Sequence, residues 1–420
     1  MLNLFLPCPR GMESLLVDEL LRVKREHDFV FQNIRATGGG VSLEGDSAAV
    51  MALNLHTRLA SRVLIAVAHD AYHDEDSLYQ VAASVDWPAW FDVRHTLRVD
   101  LTAQRSPLRS LQFATLKVKD AICDVMRDAC GERPSVDTVR PGVRVFAHLT
   151  DTHATVYLDT SGEPLFKRGW RLDKGEAPLK ETLAAAIIYA SGWAGDTALY
   201  DPCGGSGTLV IEAAQIAANI APGLHRPFGF ERLNGYDAAA WSALKSKAHQ
   251  SIRPLSSALF CNDISFRMTD FAKRNAERAG VADFITFTTG DLMQLNPPAD
   301  GGTIVMNPPY GERIEVKGKG RGGRESYSRE DADSNADSRT EQSTGQHTQP
   351  FKPDPAAAAF FSQLASHWKQ RYAGWTAWVL TPDMKLPQAL RLKESRRVPL
   401  WNGAIECRLF KFEMVAGSAR

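Results

Sequence analysis

Residues 301–313 read GGTIVMNPPYGER, and this stretch carries the strongest structural signal in the chain. The apolar run 303–306 predicts a strand that ends abruptly at Asn307. Proline has a fixed φ and no N–H group, and it pushes the residue before it into an extended conformation. We therefore expect Asn307 and Pro308 to form a stiff, extended segment with exposed carbonyl groups.

This Asn-Pro-Pro-Tyr corner has the chemistry to bind a planar exocyclic amine. The side-chain oxygen of Asn307 and the carbonyl oxygen of Pro308 are acceptors, and together they can accept the two amine protons. The nitrogen lone pair would then face outward, towards an electrophile. Tyr310, after Pro309, offers an aromatic face for a base. The alternative is a plain turn in which the prolines only end the strand.

Strand and helix patterns alternate on both sides of this corner. The alternation predicts a mainly parallel sheet with helices on both faces, and the run 398–415 adds an antiparallel hairpin with Asn402-Gly403 as its turn. The predicted strands are 197–201, 258–263, 284–288, 303–306 and 375–381, and the predicted helices are 208–221, 265–280 and 356–372.

The first strand-to-helix turn of this sheet is rich in glycine. It reads DPCGGSGT over 201–208, and its glycines allow a ligand to lie against the backbone at a helix N-terminus. Such turns also occur for tight packing or in dinucleotide sites. A dinucleotide site requires a third glycine, but position 210 is Val. This departure disfavours an NAD-dependent dehydrogenase.

Three aspartates follow successive predicted strands. Asp201, Asp263 and Asp291 stand at the strand ends, and the carboxyl ends of parallel strands line the ligand crevice of an open α/β sheet. Asp263 is placed to accept hydrogen bonds from ribose hydroxyls. Each aspartate alone could merely cap a helix, but their repetition at one sheet edge favours a ligand site.

The charge balance and the cysteine spacing limit the kinds of site and the class of protein that we expect. The 420 residues contain 49 basic and 49 acidic side chains, so any polyanion must bind a local patch. The 6 cysteines show no CxxC pair and no zinc-like histidine spacing, which favours reduced thiols in a cytoplasmic protein without a metal. We also expect no signal peptide and no membrane span.

The first 165 residues predict small α+β units. A helix over 110–131 carries Lys117 and Lys119, and Arg105 and Arg109 lie just before it. These charges fit contacts to RNA phosphates or, equally, an ordinary solvated helix face.

The motifs DPCGGSGT, CNDIS, GDL and NPPYGER together resemble class I S-adenosylmethionine-dependent methyltransferases that modify amino groups. The chain is most similar to the ribosomal-RNA guanine-N2 methyltransferases with a THUMP domain, and specifically to the N-terminal half of bacterial members acting on 23S RNA. Residues 165–188 resemble the family's linker, and NGAIECRLFKF resembles its final hairpin.

This resemblance implies an α/β fold with a Rossmann-like class I sheet and an antiparallel C-terminal hairpin. The expected domains are a ferredoxin-like unit over 1–65, a THUMP RNA-binding domain over 66–165 and the methyltransferase domain over 166–420. Residues 315–350 are poor in apolar residues, and we expect this insert to be disordered. Some family members continue into a second methyltransferase half.

The resemblance also implies S-adenosylmethionine as cofactor and assigns the site residues. The catalytic residues implied are Asn307, Pro308, Pro309 and Tyr310; the cofactor-binding residues implied are Asp201, Cys203, Gly205, Gly207, Asp263, Ile264, Asp291, Leu292 and Asn307. Because the methyl group passes by direct displacement, Cys203 is expected to pack and not to act as a nucleophile.

The expected activity is methylation of guanine N2 in 23S ribosomal RNA. Adenine-N6 methylation of RNA or DNA stays open, because the corner fits any exocyclic amine. A non-catalytic RNA-binding or assembly factor is the other alternative. The expected partner is ribosomal RNA, with no membrane and no metal, and the sequence leaves monomer and homodimer open.

Overall fold

The computed structural model describes residues 1–27, 29–175, 179–308 and 355–415. These residues form two seven-stranded sheets. Within the described ranges, no helix is both long and apolar enough to cross a membrane.

The N-terminal sheet has the strand order β2-β3-β1-β4-β7-β6-β5. Strand β4 pairs antiparallel with β1 on one side and with β7 on the other, so the sheet continues through both predicted front units. The elements of this part are β1 (Leu2–Pro7), α1 (Glu13–His27), β2 (Phe31–Thr37), β3 (Gly40–Gly45), α2 (Ser47–His56), β4 (Leu64–Ala71), α3 (Glu75–Ala83), β5 (Leu97–Ala103), α4 (Leu111–Cys130), β6 (Val143–Leu149) and β7 (His153–Asp159).

The C-terminal sheet has the strand order β10-β9-β8-β11-β12-β14-β13. The first five strands of this order are parallel, and β14 lies antiparallel between β12 and β13. Its elements are α5 (Glu181–Ser191), β8 (Leu199–Asp201), α6 (Thr208–Ala217), α7 (Ala238–Gln250), β9 (Leu259–Asp263), α8 (Phe266–Arg278), β10 (Ile285–Thr289), β11 (Gly302–Met306), α9 (Pro355–Arg371), β12 (Trp375–Thr381), α10 (Leu386–Leu390), β13 (Arg396–Asn402) and β14 (Ile405–Glu413).

The predicted parallel sheet and its final hairpin are confirmed, with one shift at the hairpin turn. Asn402 is still paired, with Ile405, so Gly403 and Ala404 connect the strands. Gly403 has φ +62°, the left-handed conformation that a tight hairpin requires and that glycine adopts without strain. The sequence prediction had placed Asn402 in the turn.

Helix α6, which follows the glycine-rich turn, places an acidic side chain in the protein core. Glu212 is 0% exposed and lies 3.1 Å from Arg58 Nη1 and 3.3 Å from Arg168 Nε. Arg168 also donates to the carbonyl of Arg58 at 2.7 Å. Because Arg58 precedes β4 and Arg168 lies in the linker, a buried ionic network joins the N-terminal part to the C-terminal sheet.

Candidate cofactor and target-base site

The glycine-rich turn between β8 and α6 depends on its glycines. Gly205 and Gly207 have φ of +54° and +85°. A Cβ on Gly204 would lie 2.3 Å from Cys261 Sγ, and one on Gly207 would lie 3.0 Å from Ala272 Cβ. Among the described atoms, none lies within 4 Å of a Cβ on Gly205. The turn is therefore packed on one side and open to a ligand at Gly205.

Asp263 joins this turn to the end of β9. Its Oδ2 accepts a hydrogen bond from the Gly205 amide at 2.9 Å, and its Oδ1 accepts one from the Ser265 amide at 2.9 Å. Burial raises the pKa of this carboxyl, while the two amides oppose the shift. A carboxylate oxygen can accept more than one hydrogen bond, so Asp263 keeps capacity for a ribose hydroxyl.

Asp201 is almost fully buried at the end of β8, with 1% of its surface exposed. Burial, opposed by a hydrogen bond from the Cys203 amide and assisted by the nearby charge of Asp263, raises the pKa of its carboxyl to about 8. Burial and the same two carboxylates raise the pKa of the half-buried Cys203 thiol. A protonated thiol is a poor nucleophile, which supports the packing role expected for Cys203.

Strand β10 ends at the same edge of the sheet. Asp291, which follows it, accepts hydrogen bonds from neighbouring residues. Asp291 Oδ1 accepts from the Met293 amide at 2.9 Å and Oδ2 from Gln294 Nε2 at 3.3 Å, and Leu292 is buried. Asp291 therefore caps a short turn; among the described residues, no helix lies between β10 and β11 for it to cap.

Asn262 is a site residue that sequence reasoning missed. Its side-chain amide donates to the carbonyl of Pro202 at 3.2 Å and to that of Gly290 at 3.1 Å, and its oxygen accepts from Thr288 at 3.1 Å. It thereby holds the ends of β8, β9 and β10 together. The available signal was an asparagine at a buried strand end, next to a predicted ligand-binding aspartate.

Two exposed apolar residues follow Asp263. Ile264 is 58% exposed and Phe266 is 76% exposed. Exposed large apolar side chains beside a polar cleft fit the flat face of a ligand base. Ile264 was assigned to the site from the sequence, whereas Phe266 was not. Ser265 is the N-cap residue of α8, but its side chain makes no capping bond to the described residues; its amide donates to Asp263 instead.

Asn307 follows β11 and brings an unpaired acceptor to this edge. β11 lies between β8 and β12, so its end is next to the glycine-rich turn. Asn307 Oδ1 is buried and accepts no hydrogen bond within the described part of the chain, and Pro308 is buried beside it. A buried acceptor without a donor is costly, so this oxygen is suited to a donor from outside the protein. Pro309, Tyr310 and the insert 315–350 lie outside the described residues.

The basic candidates near α4 divide into two kinds. Lys117 is paired with Asp76 at 2.8 Å and Lys119 with Asp120 at 2.8 Å. Arg105 and Arg109 are exposed, and neither forms an ion pair with a described residue. The arginines are therefore the better phosphate ligands of the four. In the described ranges, no cluster of three or more His, Cys, Asp or Glu could hold a metal ion.

Three family models match successive parts of the chain. Residues 3–64 match the RlmL ferredoxin-like domain, residues 72–159 match the THUMP domain and residues 168–322 match the RMKL-like methyltransferase domain. The chain is thus similar, in this order, to a ferredoxin-like domain, a THUMP domain and a methyltransferase domain. These matches agree with the position of Asn307 and Pro308 at the same sheet edge as the glycine-rich turn.

Curated relatives match the whole chain. Proteins named ribosomal RNA large subunit methyltransferase K/L are 34% identical in Shewanella baltica (strain OS185) and 35% identical in Shewanella amazonensis, in both cases over 426 aligned residues and 100% of this chain. The match covers 54% of each relative, so the chain spans about half their length.

Solved structures of similar length share the fold. SMU.472, solved in complex with SAH, superposes with a TM-score of 0.80 at 25% identity over 99% of both chains. A protein described as a predicted N6-adenine-specific DNA methylase from Listeria monocytogenes gives 0.79 at 26% identity, over 98% of this chain and 96% of that one. A protein described as a possible methylase from Clostridium difficile also gives a TM-score of 0.79 at 26% identity, over 100% of both chains.

Proposed function

We propose that this protein methylates the exocyclic amine of a base in ribosomal RNA, with S-adenosylmethionine as methyl donor, and that the base is a guanine of 23S RNA modified at N2. The observation that carries the proposal is the buried Oδ1 of Asn307, which has no partner among the described residues, at the sheet edge that also holds Gly205 and Asp263. The names of the curated relatives support a large-subunit RNA substrate.

The residues at the edge fit this cofactor. The open side of Gly205 lets the ligand approach the backbone, Asp263 would bind the ribose hydroxyls, and the exposed face of Ile264 would cover the adenine. Asp201, Gly207, Asp291 and Leu292 shape the turn and the neighbouring strand end. When bound, S-adenosylmethionine supplies an electrophilic methyl group on a positively charged sulfur.

Asn307 and Pro308 would orient the amine for attack. The Asn307 Oδ1 and the Pro308 carbonyl accept the two amine protons, so the nitrogen lone pair is directed at the methyl carbon. The acceptors of Asn307 and Pro308 would thereby hold the nitrogen in line with the methyl group that the bound cofactor would supply. The surplus amine proton then leaves to solvent. We propose that Pro309 holds this corner rigid and that the base stacks on Tyr310.

The N-terminal part would hold the RNA. We propose that the ferredoxin-like unit over 1–65 and the THUMP domain over 66–165 bind RNA, with Arg105 and Arg109 on phosphates, and that 166–420 carries the chemistry. Both arginines are exposed and lack ion pairs with the described residues. Phosphate contacts of this kind give binding that weakens steeply with salt.

A second candidate is adenine-N6 methylation, because the same acceptors fit that amine. The likeness to the Listeria protein described as a predicted N6-adenine-specific DNA methylase favours it.

An analysis of modified nucleosides distinguishes guanine-N2 methylation from adenine-N6 methylation. Ribosomal RNA from a strain lacking the gene would be compared by mass spectrometry with RNA from strains carrying the intact gene or Asn307→Ala.

We expect N2-methylguanosine to fall in large-subunit RNA without the gene, and to return with the intact gene but not with Asn307→Ala. Loss of N6-methyladenosine instead would select the second candidate. No change in either nucleoside would favour a non-catalytic RNA-binding factor.

A further inference from the structure

The linker between the N-terminal part and the C-terminal sheet is bound along helix α8. The carbonyl of Trp170 accepts a hydrogen bond from Arg278 Nε at 2.9 Å. The carboxylate of Asp173 lies 3.1 Å from Arg274 Nη2 and 2.6 Å from Arg278 Nη2. Since α8 directly follows the end of β9, the linker is held next to the candidate cofactor site.

One buried side chain joins this linker to the glycine-rich turn. Asn275, on α8, is 0% exposed. Its Nδ2 donates to the carbonyl of Ser206 at 3.0 Å and to that of Asp173 at 2.8 Å. Its Oδ1 accepts from the amides of Leu172 and Asp173, both at 3.3 Å. Ser206 lies between Gly205 and Gly207, so Asn275 bonds the turn and the linker at once.

The contacts on either side of Ser206 reinforce this junction. Gly207 packs against Ala272, one turn before Asn275 on α8, so closely that a Cβ would lie 3.0 Å from the alanine methyl. Arg171 of the linker donates to Thr208 Oγ1 at 3.0 Å. Three consecutive residues of the turn are thus in contact with α8 or with the linker, which means that a shift of either would move the backbone on which the cofactor rests.

We propose that Asn275 is a positioning residue that holds the glycine-rich turn against the linker, so that the placement of the linker sets the affinity for the cofactor. The inference rests on the proposed function, since it takes S-adenosylmethionine as the ligand of this turn. Asn275 does not touch the ligand in this scheme; it acts through the carbonyl of Ser206.

The test is titration calorimetry of the full chain with SAH. Asn275→Ala leaves the Ser206 carbonyl and the linker amides without partners, and we expect Kd to rise about tenfold. The matched control is Asn54→Ala. Asn54 is also buried, at 1% exposed, and its Nδ2 bonds the Val50 carbonyl and Thr160 Oγ1, far along the chain from the turn. This control should lower Tm but leave Kd unchanged.

A second variant tests the role of the linker. Asp173→Ala removes the ion pairs to Arg274 and Arg278 without touching Ser206, and we expect a smaller rise in Kd. In the double variant with Asn275→Ala, the rise should be less than the product of the two single effects, because both act through one junction. If Asn275→Ala does not fold, the Asp173→Ala result decides.

Two results would overturn the inference alone: SAH binding by Asn275→Ala at the unmodified Kd, or an Asp173→Ala chain that binds SAH as tightly as the unmodified chain. Failure of the unmodified chain to bind SAH would overturn the proposed function and this inference together.

Discussion

Asn307 is the residue on which the proposed chemistry depends most directly. Its Oδ1 is buried and unpaired among the described residues, so removal should disturb the target base far more than the cofactor. For Asn307→Ala we expect kcat to fall about 100-fold, the loss typical of removing one preorganised polar group. The Kd for SAH should stay within about twofold of the unmodified value.

The measurement is methyl transfer from labelled S-adenosylmethionine to unmodified ribosomal RNA. Asn234→Ala is a suitable control, because the side chain of the exposed Asn234 donates to the Pro88 carbonyl in the N-terminal part, away from the sheet edge. Unimpaired turnover by Asn307→Ala would contradict the role given to this residue.

The raised pKa of the Asp201 carboxyl leads us to expect that the affinity for the cofactor depends on pH. Burial raises the pKa of its carboxyl to about 8, so near pH 7 the group is mainly protonated in the free protein. A positively charged ligand favours the carboxylate. Binding should therefore release a proton, and affinity should rise with pH up to about 8 and then level off.

Calorimetry of S-adenosylmethionine binding in buffers of different ionisation enthalpy measures that proton release. Asp201→Asn, which has no proton to lose, should bind with little dependence on pH between about 6 and 8. The same pH dependence in Asp201→Asn as in the unmodified chain would show that another group titrates.

The glycine-rich turn shows how one element creates the site. Gly207 combines φ +85° with close packing on Ala272. Gly207→Ala should therefore destabilise the protein by about 1–3 kcal/mol and also abolish SAH binding. Urea unfolding and calorimetry measure the two effects separately.

Gly192→Ala provides the matched control for this turn. Gly192, after α5, also has a left-handed φ of +73°, but among the described atoms none lies within 4 Å of its Cβ position. Gly192→Ala should lower the free energy of unfolding, because alanine is strained at this φ, but it should bind SAH with the Kd of the unmodified chain. Loss of affinity in both variants would point to general destabilisation.

The two sheets of the whole molecule are joined through Glu212. Removing this carboxylate leaves Arg58 and Arg168 buried without their anion. We expect Glu212→Ala to lower the free energy of unfolding by about 3–5 kcal/mol. Denaturant unfolding measures this loss.

Glu163→Ala is the control, because Glu163 forms an exposed ion pair with Lys167 at 2.8 Å. Exposed pairs contribute less than about 1 kcal/mol. Equal effects of the two substitutions would mean that the network does not hold the parts together.

The sheet edge could be predicted from the sequence because it depends on local patterns. Apolar runs mark the strands, and parallel strands bring their carboxyl ends together, so Asp263 and Asn307 could be placed near each other without coordinates. Helix α3 and strand β6 were not predicted, although the inward positions of β6 alternate from Val143 to Leu149.

The hydrogen-bond and ion-pair partners of the buried polar side chains could not be predicted from such local patterns. Glu212 stands inside the apolar run of α6, which indicates a buried partner, but Arg58 is 154 residues away in the chain. Asn262 and Asn275 look like ordinary polar residues of a strand end and a helix. Their roles depend on which carbonyls the fold brings to them, and local periodicity carries no information about that.

The continuous N-terminal sheet has a consequence for transferring the THUMP domain between proteins. Arg62, before β4, forms a buried ion pair with Asp159 at the end of β7, and the amide of Thr160 donates to the carbonyl of Val63. A graft that begins at residue 66 would carry Asp159 without its cation. The transferable unit is therefore the entire first sheet, and a chimaera that inherits only its second half would contain a buried carboxyl group whose ion-pair partner Arg62 is missing.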